Sequence, residues 1–407
     1  MTLGTMATDV EQRIDFDALR AYRLGRAREQ LAKNDFGAYL CFDLDNIRYI
    51  TGTALAEWTR GKWVRWCVLP REGDLVLWEK SSAAAVKRQL CPWIKPENIR
   101  TSIEWKHGAN PHAVTVSQIA KVVAEIKAVL EERGVADMPL AVDDADLYLL
   151  EGLQGAGIKV VNGLESLFDA RLIKSAEELK IIELSASLVD GVYAQLAHFI
   201  RPGVRENEVV AEISQWLIAH GAERITGINC VSGPRSNPHP HDYSDRMIRP
   251  GDLVFIDIMS HYLGYATCYY RTFAVTQASQ RQKEIYKRAN EWLEASIDRV
   301  RPGATTADIA SAWPSAKDLG YASERDALGL AVGHGIGISH HEKPWITRNW
   351  SLENPVPIEA GMHFALETFC GEGEDGARIE SQVIVTEDGH RVITKWPSDR
   401  LLVLDPR

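Results

Sequence analysis

The sequence predicts an α/β (α+β) chain of two domains, and three observations carry that reading. At roughly 150 residues per domain, a chain of 407 residues favours two domains and has ample length for a large core. Residues 18–142 alternate helical and strand-like patterns, the layout of a small α/β domain. Around 163–175 that alternation gives way to a long amphipathic helix. The boundary therefore falls near residue 170, with an N-terminal domain over 1–169 and a C-terminal domain over 170–407.

The first element is a helix over 18–33, where apolar residues recur at helical spacing between basic ones. The apolar stretch Ala38-Tyr39-Leu40-Cys41-Phe42 and the segment Asn46-Ile47-Arg48-Tyr49-Ile50-Thr51-Gly52 follow. Trp66-Cys67-Val68-Leu69 and Leu75-Val76-Leu77-Trp78 read as strands, split by the turn from Pro70 to Asp74. A helix at about 118–134 precedes the short strand Leu140-Ala141-Val142. In the second domain Leu179, Ile182, Leu188, Val189 and Val192 recur at three- and four-residue steps along one helix. Arg201-Pro202-Gly203 ends it, and Glu206 to Ile218 forms another. A second Arg301-Pro302-Gly303 stops a further helix before one from Ala307 to Trp313. The repeated unit reads either as an internal duplication or as a coincidental pair of helix stops.

Composition excludes several classes. A net charge of −10, from 56 acidic and 46 basic residues, argues against a nucleic-acid partner. No run approaches the ~18 apolar residues of a membrane span. The N-terminal stretch from Met1 to Asp9 lacks a basic region followed by an apolar run, so no signal peptide is read and a cytoplasmic location is expected. Cys41, Cys67, Cys91, Cys230, Cys268 and Cys370 are scattered without a CxxC pair, which predicts free thiols. Twelve tryptophans are the unusual count, with Trp58, Trp63 and Trp66 close together.

The chemistry-bearing residues lie in the second domain. Asp257 interrupts the apolar run Leu253-Val254-Phe255-Ile256-Asp257-Ile258, and Glu367 and Glu380 sit inside β patterns. Three histidines, His334, His340 and His341, accompany the glycines of Gly333-His334-Gly335-Ile336-Gly337. That glycine spacing is neither GxGxxG nor a P-loop, and it suits close backbone approach beside His334. A buried lone carboxylate requires a cation, a metal or hydrogen-bond donors. An aspartate, two glutamates and a histidine form a hard ligand set suited to manganese, iron or zinc. Taken singly, each carboxylate reads more readily as a surface or salt-bridged residue than as a ligand.

The motif order Ser232-Gly233, Gly251-Asp252…Asp257, Gly264-Tyr265…Arg271-Thr272, Gly333-His334-Gly335-Ile336-Gly337…His341-Glu342, Glu367 and Glu380 resembles the pita-bread family. That family includes methionine aminopeptidase, aminopeptidase P, prolidase, creatinase and a bacterial dimethylsulfoniopropionate lyase. The junction Arg171-Leu172-Ile173-Lys174-Ser175 and the segment Asn46 to Gly52 extend the resemblance over nearly the whole chain. Ser232-Gly233-Pro234-Arg235-Ser236-Asn237-Pro238 and Asp15-Phe16-Asp17-Ala18-Leu19 look closest to the sulfonium lyase branch. The resemblance implies a creatinase-like N-terminal domain and a C-terminal pita-bread domain. It assigns metal-ligand positions to Asp257, His334, Glu367 and Glu380, and places Cys268 where the family has a bridging aspartate. One divalent ion (manganese, iron or zinc) is therefore expected rather than two, with a metal-free mechanism, as in creatinase, left open.

The same resemblance sets the functional expectations. The lyases carry acidic residues at the positions of Met259 and His340, whereas His341-Glu342-Lys343-Pro344 keeps the hydrolase pattern. The expected activity is hydrolysis of a C–N bond in a small polar molecule by an activated water. His341, His340, His241 and His239 would position groups or shuttle protons, and Glu380 would assist as acid or base. Elimination from a sulfonium compound and a non-catalytic binding role are the rivals. A homodimer is expected, with Trp58, Trp63 and Trp66 completing the partner's site as an aromatic cage for a cation, and with Tyr265 and Arg271 also contacting substrate.

Overall fold

The computed structural model describes residues 14–54, 63–327 and 332–404. The first part of the chain runs α1 (Phe16–Lys33), β1 (Ala38–Cys41), α2 (Leu44–Thr51), β2 (Trp66–Pro70), β3 (Val76–Glu79), α3 (Ser81–Leu90), β4 (Ile99–Thr101), α4 (His112–Glu132), β5 (Leu140–Val142), α5 (Leu147–Gly155), β6 (Val160–Asn162) and α6 (Leu164–Arg171). Its strands form one mixed sheet in the order β4-β3-β2-β1-β5-β6. Strands β1, β2, β3 and β5 are buried along their whole length, which is why they read as continuous apolar runs rather than alternating ones. Alternate side chains nevertheless go to opposite faces. Leu40, Phe42, Val68 and Trp78 pack with Val122, Ile126 and Val129 of α4. Tyr39, Cys41, Leu69 and Leu77 pack with Leu19, Ala27 and Leu31 of α1.

Local signals set the helix ends. Asp15 caps α1 by accepting the backbone N–H groups of Asp17 and Ala18 at 3.0 and 2.9 Å. The segment from Asn46 to Gly52 lies in α2, capped by Asp43 and ended by Gly52 at φ 64°. Helix α4 begins earlier than its periodicity suggests, at His112 directly after Pro111.

The second part runs α7 (Ala176–Phe199), α8 (Glu206–Ala219), β7 (Arg224–Ser232), β8 (Leu253–Tyr262), β9 (Tyr265–Val275), α9 (Gln280–Ile297), α10 (Thr306–Ala310), β10 (Gly333–Gly335), β11 (Glu342–Ile346), β12 (His363–Glu372), β13 (Asp375–Val385), β14 (His390–Val392) and β15 (Leu402–Leu404). The strands form two sheets, β15-β9-β8-β7 and β11-β10-β12-β13-β14. A capping box of Ser175 and Glu178 starts α7. Helix α10 stops at Ala310, short of the expected Trp313, because a helix ends before the residue preceding a proline, here Pro314.

The two Arg-Pro-Gly units occupy equivalent places. Gly203 N–H donates to Ile248 C=O at 3.0 Å, and Gly303 N–H donates to Ile358 C=O at 3.0 Å. Ile248 and Ile358 return bonds to Val204 and Ala304, each at 2.8 Å. Each unit then leads into a long hairpin, β8–β9 or β12–β13. In the first, Asp257 pairs with Tyr270 and Met259 with Cys268. In the second, Glu367 pairs with Glu380 and Phe369 with Arg378. Such repeated contacts and register are those of an internal duplication. Thr272 joins the hairpins, its hydroxyl donating to Arg378 C=O at 2.6 Å and accepting from Arg378 N–H at 3.0 Å.

The β8–β9 turn also meets α2. Leu263 and Gly264 both have positive φ, 48° and 86°, as a two-residue hairpin turn requires. A Cβ on Gly264 would stand 2.8 Å from Arg48 Nε, so glycine is needed there for the close approach. Arg48 pairs with Glu223 at 3.1 Å, and Arg224 with Asp45 at 3.1 Å, tying α2 to the start of β7.

Candidate active site

Side chains of one parity on β8, β9, β12 and β13 converge with the β10–β11 loop on a cavity of about 370 Å³. Asp257, Cys268, His334 and Glu367 are buried in its wall, and Glu380 is fully buried behind Cys268. The Cys268 thiol lies 3.3 Å from Asp257 Oδ1 and 3.5 Å from Glu380 Oε2. Two sets of ligand-type atoms, each mutually within 4.8 Å, share this sulfur: Asp257, Cys268 and Glu380, and Cys268, His334 and His340. His341 and His241 are exposed at the residue level but line the cavity, with Trp345 and Met259 as its apolar wall.

Each carboxylate has a distinct environment. Glu367 is ion-paired with the buried guanidinium of Arg378, which also lies 4.5 Å from the Tyr270 ring centroid. Asp257 accepts from the Asn229 amide at 3.3 Å, which also donates to the Tyr270 phenol at 2.8 Å. Burial raises the Asp257 carboxyl to about 7, helped by the charge of Glu367 and opposed by Cys268, Arg378 and Tyr270. Burial also pushes Glu380 well above the carboxylate range, with Glu367 and Asp257 adding to the rise. Glu380 Oε1 has no hydrogen-bond partner although fully buried, which is a costly condition without a cation or a proton.

The histidines divide into two roles. His334 Nδ1 lies 2.9 Å from Gly335 C=O; a carbonyl can only accept, so Nδ1 carries the proton and the Nε2 lone pair is free. Burial lowers the His334 pKa to about 4 and that of His340 further still, so both rings are neutral at pH 7 and can act as ligands. His239 Nδ1 accepts the His241 N–H at 3.1 Å, which leaves its Nε2–H to donate to Tyr270 Oη, also at 3.1 Å. His239 therefore supports the site through Tyr270, stacked on His241 with ring centroids 3.8 Å apart.

Several expected substrate contacts are corrected by these positions. Tyr265 is buried away from the cavity, where its hydroxyl accepts from Arg23 at 2.6 Å and donates to Glu178 at 2.7 Å. Arg271 alternates away from Tyr270 along β9 and donates to Trp396 C=O at 2.9 and 3.0 Å. Trp66 lies in the sheet core, stacked on Trp78 with centroids 5.8 Å apart. Trp63 packs edge-on to His107 at 5.6 Å. Full burial takes Trp66 out of any cage; Trp63 is half-buried and does not line the cavity of its own chain, and Trp58 lies outside the described residues. Tyr265→Phe is expected to cost about 2 kcal/mol of stability by leaving Arg23 short of an acceptor, with KM unchanged; denaturant melts beside kinetics check this.

The sequence reading did not single out Tyr270, Arg378 or Asn229. The signal for the first two was present: each stands two residues from a selected one, Cys268 or Glu380, on the same face of its strand. Asn229 faces Asp257 across the β7–β8 ladder, a pairing visible only once strands are registered. Glu342 has a structural place. It forms buried ion pairs with Lys174 at 2.9 Å and Arg171 at 3.3 Å, joining the His341-Glu342 motif to the domain junction.

With this geometry established, the comparisons with known proteins agree. The sequence profile of metallopeptidase family M24 matches residues 180–387, and the chain belongs to that family, an enzyme family of pita-bread fold. A Mycobacterium tuberculosis protein named "Probable dipeptidase PepE" is 30% identical over 342 residues, covering 83% of this chain and 82% of the relative. The dimethylsulfoniopropionate lyase DddP of Roseovarius nubinhibens is 23% identical over 419 aligned positions, covering 99% and 92%. Among solved structures, dipeptidase PepE from Mycobacterium ulcerans superposes with a TM-score of 0.74 at 26% identity, covering 97% of this chain and all of that one. No helix among the described residues is long and apolar enough to cross a membrane.

Proposed function

We propose that the protein hydrolyses the amide C–N bond of a small dipeptide-like substrate, in a cavity built by residues 170–407. The observation that carries this reading is the joint presence of His341, His241 and the Asp257–Cys268–Glu380 group around one cavity of small-molecule size. The orphaned Glu380 oxygen and the free His334 lone pair fit a divalent ion of the manganese, iron or zinc type. Such an ion, when bound beside Cys268, would polarise a substrate carbonyl and acidify a water.

The remaining work falls to side chains of this chain. His341 and His241, at the mouth, are neutral near pH 7 and available to carry a proton to the leaving amine. Met259 and Trp345 give an apolar wall for a substrate side chain. Arg378 orients Glu367 through their ion pair, and Tyr270, held by Asn229 at 2.8 Å and by His239, stands beside Asp257. Met259 and His340 stand where the sulfonium lyases have acidic residues, which favours hydrolysis over elimination. A panel of Xaa-Pro and other dipeptides, creatine and dimethylsulfoniopropionate, assayed with manganese, iron or zinc, tests the assignment. Turnover of at least one dipeptide and none of the sulfonium compound is expected; the reverse pattern contradicts it.

A homodimer in the cytoplasm completes the proposal. Sedimentation of the full chain at micromolar concentration is expected to give a dimer, and a fully active monomer contradicts it.

A further inference from the structure

We propose that Cys268, His334 and His340 form a three-ligand site for one zinc-class ion, its fourth position open to the cavity. This deepens the hydrolase reading by fixing the number and chemical class of the ion, and it rests on that reading only for the ion's use. Two of the carboxylates are already committed. Glu367 is locked to Arg378, and Asp257 is held by Asn229. A second ion that relied on those two carboxylates would have to break both arrangements.

A softer donor set stands beside those carboxylates, its Cys268 thiol donating to Asp257 and Glu380 until an ion displaces the proton. The Cys268 sulfur and one nitrogen each from His334 and His340 lie within 4.8 Å of one another. His334 has only its Nδ1 engaged, by Gly335. His340 Nδ1 is buried and has no hydrogen-bond partner. Thiolate and imidazole donors together select zinc over manganese. Three protein ligands with one vacant position are the arrangement of catalytic rather than structural zinc. All three residues border the cavity, so the vacant position faces the substrate space. Glu380, whose Oε2 is 3.5 Å from the sulfur, stands beside the ion as a hydrogen-bonding neighbour.

Cobalt(II) is the probe, since it occupies zinc sites and reports a bound thiolate by an intense near-ultraviolet charge-transfer absorption. Full-length protein freed of metal by chelator is titrated with cobalt, and the cobalt is then displaced by zinc. The expected result is one ion per chain, a thiolate band, and visible bands of four-coordinate intensity. Cys268→Ser should remove the charge-transfer band. His340→Val should weaken zinc binding by about 100-fold or more, beyond the 10–100-fold typical of a residue that merely supports a ligand. Circular dichroism confirms folding of each variant, and the wild-type stoichiometry and band are decisive without them. Two ions per chain, cobalt bound without a thiolate band, or unchanged zinc affinity in folded His340→Val each overturn the proposal. Wild type that shows the band yet cleaves no dipeptide supports this site while contradicting the hydrolase assignment.

Discussion

Replacing His334 by alanine is expected to lower turnover of the proposed dipeptide-like substrate by about 100-fold or more, the scale of a lost acid/base or ligand group, while the fold survives. The ring is buried, is fixed in one tautomer by Gly335, and offers a nitrogen to the cluster around Cys268. Its loss thus removes a donor whether that donor holds an ion or a water. At about 1.4 kcal/mol per tenfold, the expected penalty is at least ~2.7 kcal/mol in the barrier. Steady-state kinetics beside a thermal melt check the result, and near-normal kcat in a folded His334→Ala would place the ring outside the chemistry.

Glu342→Gln carries the second large effect, and it falls on stability. The carboxylate is buried between Lys174 and Arg171 and also accepts the Ser339 N–H at 3.1 Å. Removing its charge leaves two buried cations uncompensated, an expected loss of about 3–5 kcal/mol. Burial alone would raise the Glu342 pKa, but Lys174 and Arg171 outweigh it and hold the group below its ordinary value. Its contribution is therefore full above the unfolded pKa of about 4.3 and is lost as pH falls through the lower folded value. Urea melts should accordingly show the gap between wild type and variant wide at neutral pH and narrowing in acid. A gap independent of pH would contradict the ion-pair account.

Much of this architecture was legible from residue patterns alone. The buried strands β1 to β3 announced themselves as apolar runs, and the two Arg-Pro-Gly stops marked the duplicated halves. The motif order pointed to Asp257, Cys268, His334, Glu367 and Glu380; the first four line one cavity, and Glu380 is buried behind it against Cys268. What the sequence hid were partnerships. A tyrosine or arginine in a strand reads the same whether it faces a substrate or a buried partner. Tyr265, spoken for by Arg23 and Glu178, and Arg271, spoken for by Trp396, therefore looked like site residues. Trp66 looked like part of a cage because its ring partners Trp78 and Trp105 lie elsewhere in the chain. Conversely, Tyr270 and Arg378 gained meaning only when the hairpin registers set each in the cluster.

The central claim, hydrolysis in this cavity, is tested most directly by running the reaction in ¹⁸O-labelled water and weighing the products. Attack of water on the amide carbon, with the C–N bond breaking and the amine leaving protonated, places one labelled oxygen in the new carboxylate. Single-label incorporation matching the amount of amine released is the predicted result. Product formation without any label, as an elimination would give, would contradict it.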